Sequence, residues 1–64
     1  MPMQQSAFRI EELNPFQEWH WHGSANSQEQ AIQRARLICK KIGRTVRVLN
    51  STHGLIIQID PSGE

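Results

Sequence analysis

The chain has one cysteine, Cys39, no tyrosine, and four aromatic residues in all, Phe8, Phe16, Trp19 and Trp21. A single thiol excludes an internal disulfide and any paired-cysteine zinc motif, which makes a reducing, cytoplasmic setting the expectation. No stretch approaches the roughly 18 to 20 consecutive apolar residues of a membrane-spanning helix. The opening "MPMQQSAFRIEEL" lacks the basic segment and apolar run of a secretion leader, so no membrane partner is expected. A phosphate-binding glycine loop, a nucleophile with a placed base and a paired-carboxylate constellation are likewise missing. Catalysis is therefore not expected, and neither a cofactor nor a bound metal is.

Charge excess is also lacking, since the formal net charge is +1 over 64 residues. A chain of this length makes one small domain that buries about 60% of the surface of its unfolded form, a margin that a partner or a second copy would improve. The charge is unevenly spread. Between Glu29 and Arg47 the basic residues Arg34, Arg36, Lys40, Lys41, Arg44 and Arg47 face the single acid Glu29, so an anionic partner belongs near that stretch.

What is present is periodicity. Residues 1–6 show none and are expected to be a flexible end, as are residues 62–64, which leaves a single domain over residues 7–61. "AFRIEEL" (7–13) alternates, with Phe8 and Ile10 on one face, and reads as a half-buried strand. Asn14-Pro15 signals a turn, and "EWHWHGS" alternates again, so the two runs form a hairpin. Ser27 followed by Gln30 matches a capping box at the start of a helix. At 100° per residue Ala31, Ile32, Ala35, Ile38, Cys39 and Ile42 fall within about 60° of one line, a stripe able to cover a sheet. Gly43 suits the left-handed terminator.

"RTVRVLN" and "LIIQID" are two further strands around the turn "STHG", with Val46, Val48, Leu55, Ile57 and Ile59 inward and Arg47, Ile56 and Gln58 outward. One helix with one apolar stripe covers one face of one sheet. The expectation is an α+β, two-layer β-β-α-β-β sandwich with a mainly antiparallel four-stranded sheet in the order 2-1-3-4.

Over about residues 8–63 the chain resembles the small bacterial family known as domain of unknown function 2188. In that family a Trp-containing hairpin precedes an "EAI..AR.IA...G" helix, a "V.V" strand and a final "G.I" strand. The matching residues are Trp19, Ala31, Ile32, Ala35, Arg36, Ile38, Gly43, Val46, Val48, Gly54 and Ile56 or Ile57. Where family members often carry Thr or an acid before the helix, this chain has Ser27-Gln28-Glu29. The resemblance implies the fold and leaves the chemistry open.

Three places are left for function. In "WHWH", strand alternation puts Trp19 and Trp21 on one face and His20 and His22 on the other. The tryptophans, burying on the order of 200 Å² each, are expected to fill the core under the helix, and the histidines to face outward. A metal held by His20 and His22 would need a third ligand such as His53 or Glu18, and a polar outer face is the reading taken. The outer helix face offers Arg34, Arg36, Lys40, Lys41 and Arg44 for phosphate contact, with Leu37 at its centre. The uncovered sheet face offers His20, His22, Arg47, Leu49 and Ile56, together with Leu37 of the helix, as candidates for a protein interface. The function expected is a small non-enzymatic protein interaction module, with self-association through that open face into a homodimer as one form of it and nucleic-acid binding by the basic helix face as the alternative.

Overall fold

The computed structural model describes residues 8–61. The ends expected to be flexible, 1–6 and 62–64, and Ala7 at the head of the first strand lie outside the described residues. The elements are β1 (Phe8–Leu13), β2 (Trp19–Ala25), α1 (Gln28–Ile42), β3 (Val46–Leu49) and β4 (Leu55–Ile59). The four strands form one antiparallel sheet in the order β2-β1-β3-β4, the expected order, with the helix on one face.

The helix begins and ends where its sequence signals lie. Ser27 Oγ accepts a hydrogen bond from the Gln30 N–H at 3.1 Å, and Gly43, at φ 69°, donates its N–H to the Cys39 carbonyl at 2.8 Å. Ala31, Ala35 and Cys39 are its buried residues, and Ile38 packs beside them. They meet Ile10, Ala25, Val46 and Val48, with Ile57 and Ile59 partly buried at the margin. Ile42, expected in the stripe, lies more than a third exposed at the last turn. Leu55, expected inward, is 58% exposed beside a bulge in β4 and belongs to no core contact.

Both hairpins close with the same turn. Asn14 donates its N–H to the Glu18 carbonyl, Gln17 donates back to Asn14, and Gln17 sits at φ 68°. Asn50 repeats the pattern with Gly54 and His53, the latter also at φ 68°. Each loop is thus three residues long, the type in which a left-handed residue follows a tight turn.

That length decides which way the tryptophans face. It pairs Leu13 with Trp19, Glu12 with His20 and Glu11 with Trp21, and directly paired residues share a face. Ile10 and Glu12 pair with the core residues Val48 and Val46, so Glu11, and with it Trp21 and Trp19, belongs to the opposite, open face. The core placement expected for the two tryptophans is therefore reversed. His20 and His22 are reversed with them and lie on the helix side at the β2 edge, His22 Nε2 being 3.3 Å from Glu12 Oε1. A one-residue change of register moves every side chain to the other face, and the loop here is one residue longer than the shortest hairpin connection.

Candidate functional site

The open face of the sheet is built in cross-strand rows. Trp21, Glu11, Arg47 and Gln58 form one row, and Ser24, Arg9, Leu49 and Leu55 the next. Their backbone pairing sets which side chains share each row.

Glu11 is the hub. Arg47 Nε and Nη2 donate to its Oε1 at 2.9 and 2.7 Å, while Arg9 Nε and Nη2 donate to its Oε2 at 3.3 and 3.2 Å. Burial raises the pKa of this carboxyl, but the hydrogen bonds from Arg47 and Arg9 and their positive charges outweigh burial and hold it below the ordinary glutamate range. Arg47 also lies over the Trp19 ring at 3.9 Å from its centroid, a cation–π contact. Trp21 has no such cover among the described residues and is 54% exposed. The result is a face with a rigid, ion-paired centre and an aromatic edge.

Of the residues expected at a protein interface, Arg47 and Leu49 lie on this face, although Leu49 is almost fully closed over by its neighbours. Ile56 is the extra residue of the β4 bulge and packs half-buried against the core. Leu37 is exposed on the outer helix surface, away from the sheet. His20 and His22 are on the wrong face to join Arg47. Trp19 and Trp21 were missed as candidates, and the signal for them is the loop "NPFQE", whose length sets the register.

The basic helix residues divide. Arg34 Nη1 donates to the Ser24 carbonyl at 2.8 Å toward β2, and Arg44 Nη1 to Glu12 Oε2 at 2.9 Å. Arg36 and Lys40 lie on the other flank and line a recess beside Ile59, Asp60 and Pro61. Lys41 is exposed. The five do not form one surface.

The metal alternative lacks its third ligand. His20 is paired with Glu12 near the start of β3, while His53 lies in the β3–β4 turn beyond Leu49, at the opposite end of the sheet. Among the described residues no three His, Cys, Asp or Glu side chains group closely enough to hold a metal ion. None of these residues belongs to a helix long and apolar enough to cross a membrane.

No family model, no curated protein and no solved structure matches the chain.

Proposed function

We propose that the protein is a small non-enzymatic interaction module that docks another protein chain on its open sheet face, with Trp21 and Trp19 as anchors. The supporting observation is Trp21, more than half exposed beside an arginine-stacked Trp19 on a sheet face that no described element covers. Tryptophan and arginine dominate the binding energy of protein interfaces, because they bury large area at small entropic cost and carry a polar handle. Glu11 engages both nearby arginines, so this face has little free positive charge to offer a phosphate backbone and suits a protein surface better. The lone thiol favours a reducing cytoplasm as the place of action, and the resemblance to domain of unknown function 2188 favours a bacterial one.

Affinity capture from the source cell tests the reading, with wild-type and Trp21→Ala baits and with nuclease. Trp21 lies outside the core, so the variant is expected to stay folded, which circular dichroism verifies. Specific proteins held by wild type in the presence of nuclease and lost with Trp21→Ala are the expected result. Retention of the same proteins by Trp21→Ala rejects the open face as the docking site.

Nucleic-acid binding by the helix is the second reading, favoured by Arg36, Lys40 and Lys41, which are exposed and make no ion pair among the described residues. Nuclease-sensitive capture that weakens steeply with salt supports this reading instead.

A further inference from the structure

The two edges of the sheet are unlike. At one edge β2 is interrupted by the bulge near His22, and the Ser24 carbonyl is taken by Arg34. At the other edge β4 has its own bulge at Ile56, and beyond it Ile57-Gln58-Ile59 run on with no charge and no proline. Sheets normally blunt such an edge with lysine, proline or cover, because its outward N–H and C=O groups are a template for another strand. Ile57 and Ile59, on the helix side of β4, remain half-buried. Next to them a recess of about 330 Å³ opens between helix and strand, with Arg36 and Lys40 on its helix wall and Ile59, Asp60 and Pro61 on its strand wall.

The helix flank above this recess has an ordered charge pattern. At 100° per residue Glu29, Gln33, Arg36 and Lys40 fall in a stripe about 60° wide. The recess fixes that stripe on the β4 side, and the Arg34 contact with Ser24 fixes the other flank on the β2 side. The stripe is acidic in the first turn of α1 and basic in the last. A two-fold axis beside β4, normal to the sheet and level with the middle of α1, would set Glu29 of one copy against Lys40 of the other, and Gln33 against Arg36. The same stripe satisfies itself under that symmetry.

We infer that two copies of this chain pair β4 to antiparallel β4, extending the sheet to eight strands with both helices on one face. The helix lies chiefly over β3 and β1. With strands about 4.8 Å apart, the two helix axes come about 19 Å from each other, a gap that the Glu29 and Lys40 side chains bridge above the joined recesses. The pairing covers Ile57 and Ile59, satisfies the open ladder of β4, and leaves the tryptophan face free.

Sedimentation equilibrium of the full chain, over concentrations reaching the millimolar range, tests the pairing with Lys40→Glu, Glu29→Lys and the double exchange. Wild type should reach a dimer. Each single reversal should weaken association roughly tenfold, because the symmetry repeats every like-charge contact, and the double exchange should restore it. Amide hydrogen exchange in β4 should slow on dimerisation. Both charge positions are exposed, and circular dichroism verifies that the variants fold. A monomer at every concentration, open-ended growth, or a dimer broken by Trp21→Ala and indifferent to Lys40→Glu would each overturn the inference.

Discussion

Glu11 and Glu12 are adjacent, both nearly buried, and each faces its own layer of the molecule. Glu12 points to the helix side, where Arg44 and His22 meet it, and Glu11 to the open side, where Arg9 and Arg47 do. A carboxylate in either place is tolerable because its charge is paired and its oxygens accept hydrogen bonds, and no buried side-chain nitrogen or oxygen among the described residues lacks a partner. For Glu11 the consequence is a pH dependence. Its folded pKa is depressed, so the stability it contributes is complete above the unfolded-chain value of 4.5 and is lost as pH falls through the lower folded value. Urea midpoints at neutral pH and at pH values below 4.5 should therefore fall more for wild type than for Glu11→Gln. Equal losses in the two proteins would mean that the two arginines do not hold the carboxylate in its charged form.

At the scale of elements, the two hairpin turns do more than connect strands. The Asn50 side-chain oxygen accepts from Thr52 N–H, Thr52 Oγ1 and Gly54 N–H, and Asn14 does the same for Phe16 and Glu18 N–H. A Cβ on Gly54 would come within 3.0 Å of the Asn50 amide and push it out of the turn. Asn50→Ala should cost about 1–2 kcal/mol in chemical denaturation, since several donors lose their acceptor together. His53→Gly should change stability by less than about 0.5 kcal/mol, because relief of the left-handed conformation is offset by glycine's extra freedom when unfolded. A larger loss from His53→Gly than from Asn50→Ala would contradict this picture of the turn.

These turns also explain which parts of the structure were legible in the sequence. The helix, its Ser27 and Gly43 caps and the inward Val46, Val48, Ile57 and Ile59 follow from periodicity and from local capping chemistry, whereas the strand order, though it agrees with the expected one, is set by neither. The orientation of "WHWH" does not follow from them either, because alternation separates Trp from His without saying which pair faces the helix. That depends on whether the loop after Leu13 holds two residues or three, and only the hydrogen bonding of Asn14 to Glu18 distinguishes them.

At the scale of the whole molecule, the layer spacing is consistent with tryptophans on the outside. The helix meets the sheet through Ala31, Ala35 and Cys39, small side chains set directly against Ile10, Val46 and Val48, and Ala35 is fully enclosed. Two indole rings have no room in such a seam unless the helix moves away and gives up those contacts. A substitution can measure the same constraint. Ala35→Leu adds three carbons where there is no space and should cost about 1–3 kcal/mol or more, a large share of the roughly 3–10 kcal/mol expected for a chain of this length. Leu37→Ala, on the outer surface of the same helix, should stay within about 0.5 kcal/mol of wild type. Urea denaturation of the two variants makes the comparison directly. If Ala35→Leu were tolerated as well as Leu37→Ala, the helix would have to stand clear of the sheet, and close layer packing would no longer account for the outward tryptophans.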